Sequence, residues 1–282
     1  MWAINKSPLK IGAPLALDIV PVESIDILSN TEVIAINHDS LSKQARLIRR
    51  YTEEEWDLWA GELSGSRMVL GIANWKNEPQ TVRVDLAAVG VQEANARDVW
   101  AHEDLGLLSG TGTWDLKGHE MKLLVLSEIS KPSSAPNGTG FHAAENAKLS
   151  GSVVVESCAD VEGECLPAGS RARHIARDST VTFEGITSNG EGTKLLGVDF
   201  INYEIATDSA WDWGSNTRNM TVAVNGGKAK RWAFPISGGD WLEADRMFIE
   251  VDGFLDGDTN TVSFAGFEDS YAPDLVGFEI FE

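Results

Sequence analysis

The sequence is short of positive charge. Its 282 residues include 23 lysines and arginines against 43 aspartates and glutamates, so the formal net charge is −20 at pH 7. Nucleic acids and anionic membrane surfaces bind basic proteins, and this charge therefore argues against both as partners. The acidity is compatible with a secreted protein that works in mildly acidic surroundings.

Long apolar runs are also missing. No segment has the roughly 18 consecutive apolar residues of a membrane-spanning helix, and no signal peptide is present. The first four residues, Met1 to Ile4, instead have the pattern of the last turn of an apolar helix. We therefore expect the sequence to begin inside a larger fold, with any targeting signal upstream of it.

Cysteine is nearly absent, and the two that occur, Cys158 and Cys165, lie in one acidic loop. A zinc site there would need further cysteine or histidine ligands, and only His174 is close in sequence. We therefore predict a disulfide. On the chain-entropy treatment it stabilises the fold by about 2–3 kcal/mol, and it implies an oxidising compartment.

One segment is rich in proline, serine and glycine. Residues 130–140 read SKPSSAPNGTG, a composition typical of a linker between domains. The segment also contains one of three N-glycosylation sequons, which begin at Asn5, Asn137 and Asn219. Because a linker is accessible, Asn137 is the best candidate for glycosylation.

Hydrophobic periodicity changes along the part before the linker. Residues 8–15 form a short apolar run bounded by glycine and proline, which predicts a buried strand, and residues 31–47 have helical spacing. From residue 51 onward the pattern is that of short strands: apolar and polar residues alternate over residues 56–63 and 81–86, and residues 67–74 form an apolar strand. A new strand is expected to start at Arg97. This alternation predicts an antiparallel β-sandwich.

The same alternation, with Gly, Asn and Asp turns, fills the part after the linker and predicts a second β-sandwich. The sequence thus predicts a mainly β protein with four segments. These are a helix–strand–helix segment, a first sandwich, a linker and a second sandwich, over residues 1–50, 51–129, 130–140 and 141–282.

Two phrases in the first segment, MWAINKSPLKIGAPL and LSNTEVIAINHD, resemble the end of the (β/α)8 catalytic barrel of glycoside hydrolase family 27, the α-galactosidases. The first sandwich resembles the C-terminal β-domain of the same family through WAGEL, MVLGIANW, ARDVW and HEMKLLVLS. Retaining glycosidases use two carboxylates about 5 Å apart, and in this family both lie on earlier barrel strands. The nearest acid, Asp18, has no evident partner, so the resemblance implies no catalytic residue in this chain.

The second sandwich resembles carbohydrate-binding module family 35, a jelly-roll family, through AENAKLSG, VNGG, DGDTNTVSF and YAPDL. The resemblance implies binding of galactose-containing saccharides by Arg218, Tyr271 and Asp274. A further aromatic of the family corresponds to His174 here. Trp211 and Trp213, in the loop DSAWDWGSNTR, are candidates for an aromatic platform, with a buried loop anchor as the equal alternative.

Many members of that family hold a structural calcium ion. Glu145 matches the acid of the opening motif, whereas another ligand position of the family is Val276 here. Calcium takes six to eight oxygen ligands, so the loss of one weakens the expectation of a bound ion. A calcium site at Glu145 and no tightly bound ion have about equal weight.

Three interpretations follow. The favoured one is the non-catalytic C-terminal portion of a secreted α-galactosidase, with sugar binding by the last domain. The second is an active hydrolase, against which the missing barrel strands argue. The third is a structural or adhesion β-sandwich protein without sugar binding.

Overall fold

The computed structural model describes residues 1–12, 19–51, 54–130, 140–158, 165–205 and 217–281. The chain forms two compact units. Unit 1 comprises Met1–Ile48 and Glu55–Ser133, and unit 2 comprises Arg49–Glu54 and Ser134–Glu282. Asp18, Trp211, Trp213, Asn137 and most of the predicted linker lie outside the described residues.

Unit 1 contains two short helices and a β-sandwich. The helices are α1 (Val22–Ser29) and α2 (Thr31–Asn37), and in the described ranges no helix is long and apolar enough to cross a membrane. The strands are β1 (Arg46–Tyr51, whose end belongs to unit 2), β2 (Trp56–Leu63), β3 (Arg67–Asn74), β4 (Gln80–Asp85), β5 (Glu93–Asp98), β6 (Glu103–Ser109), β7 (Thr111–Leu116) and β8 (Met121–Ser130).

The main sheet of unit 1 has the antiparallel order β2–β3–β8–β5–β6, and β4 pairs with β7 separately. Side chains alternate along its strands, so the sheet has two apolar faces. On one face Leu70 and Leu124 join a buried cluster with Leu86. On the other face Val69 and Leu123 join a cluster that includes Ile4, Ile36 and Ala45, so the N-terminal segment covers this face.

The close approach of the N-terminal segment depends on a glycine in β2. A Cβ atom at Gly61 would lie 2.9 Å from the Cα of Ala45, a separation too short for ordinary packing. The backbone N–H of Ala45 also donates to the carbonyl oxygen of Ile4 at 2.8 Å. Gly61 therefore lets residue 45 lie directly on the sheet.

Two predictions for the N-terminal segment are wrong. Residues 8–12 of the predicted strand are irregular and exposed, and the rest of that strand lies outside the described residues. Among the strands that the structure describes, none pairs with residues 8–12. The predicted helix over residues 31–47 ends at Asn37, because the buried carboxylate of Asp39 accepts hydrogen bonds from Leu41 N and Ser64 N at 3.0 and 2.8 Å and turns the chain away.

The first-sandwich prediction is confirmed, with one correction. Strands β2 and β3 match the predicted ranges 56–63 and 67–74. The strand expected to start at Arg97 instead runs over Glu93–Asp98. It ends there because the Asp98 carboxylate accepts hydrogen bonds from the backbone N–H groups of Trp100 and Ala101, at 2.9 and 3.1 Å, which form a turn.

Unit 2 is a second β-sandwich. Its strands are β9 (His142–Ala143), β10 (Lys148–Ser150), β11 (Val154–Ser157), β12 (Ser170–Arg173), β13 (Thr180–Ser188), β14 (Gly192–Ile201), β15 (Arg218–Val224), β16 (Lys230–Phe234), β17 (Asp245–Phe254), β18 (Gly257–Gly266) and β19 (Asp274–Phe281). One sheet has the order β10–β13–β18–β15–β16, and the other has the order β11–β12–β19–β14–β17 with β9 beside β19. The predicted mainly β fold is confirmed.

Aromatic side chains from both sheets fill the core of unit 2. Phe183 and Phe264 come from one sheet, Phe200 and Phe278 from the other, and all belong to one buried cluster. The rings of Phe183 and Phe278 meet edge to face, with centroids 4.9 Å apart. Such edge-to-face contacts add to the hydrophobic stabilisation of burial, so they fix how the two sheets face each other.

Unit 2 also includes a strand that precedes the first sandwich in sequence. Arg50 of β1 pairs with Ala233 of β16. The neighbouring Arg49 is 1% exposed, and its guanidinium donates to the carbonyl oxygen of Phe248. The Arg49 guanidinium also lies 5.7 Å from the ring centroid of Trp232. The end of β1 is therefore an integral part of unit 2.

An ion pair joins α2 to β5 in unit 1. Both carboxylate oxygens of Glu32 accept hydrogen bonds from the Arg97 guanidinium, at 2.6 and 2.8 Å. These bonds lower the pKa of Glu32 from 4.5 to about 2. A carboxyl group with a lowered folded-state pKa stabilises the fold above its unfolded pKa, and this stabilisation is lost as the pH falls towards the folded value.

We therefore expect acid to weaken unit 1 through Glu32. Glu32→Gln should lower the melting temperature at about pH 5, and this difference should shrink by about pH 2.5 because the wild-type carboxylate is then being protonated. Calorimetric unfolding at both pH values measures this difference in melting temperature. Glu103→Gln on the exposed strand β6 is the control. An equal loss at both pH values would contradict the assignment.

Candidate functional site

Tyr271 lies in the segment between β18 and β19, at one end of unit 2. Its side chain is 48% exposed, and its ring centroid lies 5.6 Å from that of His174, which is also exposed. The segment is fixed by its backbone, since the N–H of Ala272 donates to the carbonyl oxygen of Ile175 at 2.9 Å. The two exposed rings therefore form a fixed aromatic surface.

A cleft of about 450 Å³ opens beside Tyr271. Two loops line it, one between β12 and β13 and one between β18 and β19, and its polar lining comprises Arg177, Asp178, Glu268, Asp269, Ser270 and Tyr271. The volume is within the range of about 300–1,000 Å³ that is usual for small-molecule sites. An aromatic face with several polar groups around it can bind a small polyhydroxylated molecule.

Asp274, the first residue of β19, is only 4% exposed. One of its carboxylate oxygens lies 3.3 Å from Arg171 Nη1 and 3.5 Å from Arg173 Nε. Burial raises the pKa of this carboxyl group, and the positive charges of the two arginines oppose the rise. Asp274 is thus part of an internal ion-pair network rather than of the exposed surface.

Arg218, the first residue of β15, lies beside the Tyr271 segment. Its guanidinium donates to the carbonyl oxygen of Ala272 at 3.3 Å and pairs with Glu204 at 3.0 Å. The guanidinium also lies 4.6 Å from the ring centroid of Trp241. The structure therefore brings the predicted residues Arg218, Tyr271 and Asp274 to one end of unit 2, with Tyr271 the most exposed.

Comparison with known proteins gives a consistent picture. Residues 53–126 match the family described as the alpha galactosidase C-terminal beta sandwich domain. An Aspergillus flavus protein named "Probable alpha-galactosidase D" is 29% identical over an alignment 387 residues long. The alignment covers 99% of this chain and 59% of that protein. The chain thus spans about 59% of the length of that relative.

The predicted resemblance to α-galactosidases is confirmed by this relative and by the family match over residues 53–126. Two solved structures are similar as well. Alpha-galactosidase I from Mortierella vinacea has 26% identity and a TM-score of 0.43 over 47% of this chain and 34% of that one. A family 35 carbohydrate binding module from Clostridium thermocellum has 24% identity and a TM-score of 0.42 over 51% of this chain and 99% of that one.

The expectation of a calcium ion at Glu145 of the family 35-like module stays a prediction. Glu145 accepts a hydrogen bond from the Ser170 hydroxyl at 2.7 Å, and Val276 is fully buried in an apolar cluster. Across the described ranges, no group of three or more His, Cys, Asp and Glu residues is placed to hold a metal ion.

The predicted disulfide between Cys158 and Cys165 is confirmed. Both cysteines are buried in a cluster with Ile201 and Val276, and Trp241 packs against that cluster. The Arg218 guanidinium lies over the Trp241 ring. The disulfide therefore contributes to the packing beneath Arg218 through Trp241. Trp211 and Trp213 lie outside the described residues, so their role stays a prediction.

Sequence reasoning missed the polar lining of the cleft. Asp178, Glu268 and Asp269 stand in two loops about 90 residues apart in sequence, and in each loop they read as ordinary turn residues. The pairing of β13 with β18 brings the loops together, with Thr180 opposite Ala265. Only a prediction of that strand pairing could have shown that these residues line one cleft.

We expect the disulfide to stabilise unit 2. Reduction should lower its free energy of unfolding by about 2–3 kcal/mol, because the short crosslinked loop regains freedom in the unfolded chain. Thermal melts with and without a phosphine reductant measure this, with the double variant Cys158→Ser and Cys165→Ser as the matched control. If the reductant lowers the melting temperature of that double variant equally, the effect does not come from the disulfide.

Proposed function

We propose that this chain is the non-catalytic C-terminal portion of a secreted α-galactosidase, and that residues 141–282 bind galactose-containing saccharides. The observation that carries the binding proposal is the exposed Tyr271 ring beside His174 at a cleft lined with polar side chains. The family match of residues 53–126 supports the α-galactosidase assignment.

The chemistry of the cleft suits a sugar. A pyranose has one flat, weakly polar face that stacks on an aromatic ring, while its hydroxyl groups need hydrogen-bond partners around the edge. Tyr271 offers the ring, and Asp178, Asp269 and Ser270 offer polar atoms at the edge of the same cleft. We assign Tyr271 as the direct stacking contact.

Asp274 and Arg218 have a different role in this proposal. The Asp274 carboxylate is buried against Arg171 and Arg173, and the Arg218 guanidinium donates to the backbone of Ala272. Both fix the segment that carries Tyr271, which makes them positioning residues. In this proposal Asp274 acts through the Tyr271 segment, and the sugar hydroxyls form hydrogen bonds with the lining of the cleft.

A second candidate function is a structural or adhesion β-sandwich without sugar binding. The observation that favours it is that Arg218 and Asp274 are both engaged in internal ion pairs. The two candidates differ in one property, which is whether the exposed Tyr271 surface has measurable affinity for saccharides.

We expect weak binding. A dissociation constant of about 0.1–1 mM for galactobiose corresponds to roughly −4 to −5.5 kcal/mol, which one aromatic platform and a few hydroxyl contacts can supply. Tyr271→Ala should weaken it roughly fivefold through lost stacking, about 1 kcal/mol. Calorimetry of the full chain against galactose, galactobiose and glucuronic acid measures this.

The matched control is Leu255→Ala, an exposed apolar residue of unit 2 away from the cleft. It should leave the affinity unchanged. Binding that survives Tyr271→Ala would locate the site elsewhere, with Trp211 and Trp213 the next residues to replace. If the intact chain binds none of the sugars, the structural alternative holds.

We also expect no glycosidase activity from this chain, because the family's catalytic carboxylates have no counterpart in its sequence. Hydrolysis of an aryl α-galactoside should stay at the level of the blank. Turnover that purifies with the chain and disappears with Asp18→Asn would establish an active hydrolase instead.

A further inference from the structure

Unit 1 contains a second cleft, which the proposed function does not use. It measures about 460 Å³ and lies where α1 meets α2, beside the turn between β5 and β6. Its lining includes Asp26, Ile27, Ser29, Thr31, Trp100 and His102. We propose that this cleft is a separate binding site for a neutral saccharide, with Trp100 as its aromatic platform.

Trp100 is presented on a rigid turn. Its indole is 39% exposed, although most large apolar side chains of the first sandwich are buried. The buried Asp98 carboxylate accepts from the Trp100 and Ala101 N–H groups, and its other oxygen accepts from Lys122 Nζ at 2.7 Å. An aromatic ring on a fixed backbone loses little conformational entropy when a ligand stacks on it.

The opposite wall of the cleft is tied to the same turn. The buried Asn30 side chain donates to the Val99 carbonyl oxygen at 2.9 Å, and its own oxygen accepts from the N–H groups of Glu32 and Val33 at 3.0 Å. Asn30 therefore sets the spacing between the helix junction, which carries Ser29 and Thr31, and the turn that carries Trp100. The cleft is formed before any ligand arrives.

His102 supplies a directed polar atom. Its Nδ1 lies 2.6 Å from a Glu32 carboxylate oxygen. The Arg97 hydrogen bonds keep the pKa of Glu32 at about 2, so near neutral pH this oxygen can only accept and Nδ1 must carry the proton. This leaves Nε2 of the His102 ring as the atom that can form a hydrogen bond with a ligand hydroxyl.

The charges around the cleft select the ligand. Among the described residues that line it there is no lysine or arginine, and Asp26 supplies the one carboxylate. An acidic sugar would find no counter-charge there, whereas the hydroxyl groups of a neutral sugar can bond to Ser29, Thr31 and His102 while its flat face stacks on Trp100. The inference does not depend on sugar binding by unit 2.

Indole resonances of the full chain test the proposal. With tryptophan labelled by ¹⁵N, the Trp100 indole signal is assigned from its absence in Trp100→Phe. Titration with melibiose should move this signal along a saturable curve, and galacturonic acid should move it much less. His102→Asn, which keeps a residue type tolerant of the positive φ at this position, should raise the dissociation constant about fivefold.

Two controls separate this site from other effects. Trp75 is 40% exposed in the same unit and lines neither cleft, so its indole signal should stay still. Tyr271→Ala should leave the Trp100 titration unchanged, because that side chain belongs to unit 2. A Trp100 signal that does not move at about 100 mM melibiose, or that moves together with Trp75, would overturn the proposal.

Discussion

The packing of unit 1 depends on one constraint, which is that both faces of its main sheet must be buried. Alternating side chains make each face apolar, so the sheet requires a cover on each side. The strands β4 and β7, with the segment after β4, cover one face, and the residues that carry Ile4, Ile36 and Ala45 cover the other. The N-terminal segment is therefore part of the packing of unit 1, and its exposed apolar side chains, such as Trp2 and Ile19, lie away from the sheet.

Arginines are few in this acidic chain, and several of them hold segments together. Arg97 joins α2 to β5 through Glu32, and Arg246 joins β17 to β14 through Asp199 at 2.7 Å. Arg171 pairs with Glu156 as well as with Asp274. The guanidinium group suits this use because its planar donors match a carboxylate. An arginine whose charge is neutralised by an internal carboxylate does not attract an anionic partner.

Each candidate site has an exposed aromatic side chain on a backbone segment that is held by hydrogen bonds from neighbouring residues. Tyr271 stands on a segment held by Ile175 and Arg218, and Trp100 stands on a turn held by Asp98 and Asn30. In both cases hydrogen bonds to the backbone set the position of the ring, and the ring remains accessible. Such pre-organisation favours weak but selective binding of small polyhydroxylated ligands.

The sequence by itself determined the bounds of β2 and β3 and the sandwich class of both units, because short apolar or alternating segments separated by turn residues predict β-strands. It also determined the disulfide, because Cys158 and Cys165 have no other partners. Tertiary structure alone decided that α2 stops at Asn37, because the Asp39 carboxylate that turns the chain is held by Ser64 of a distant turn. It likewise decided that Arg49 belongs to unit 2, that Asp274 is buried and that Trp100 is exposed. Each of these depends on strand pairings and contacts between residues far apart in sequence, which local periodicity does not encode.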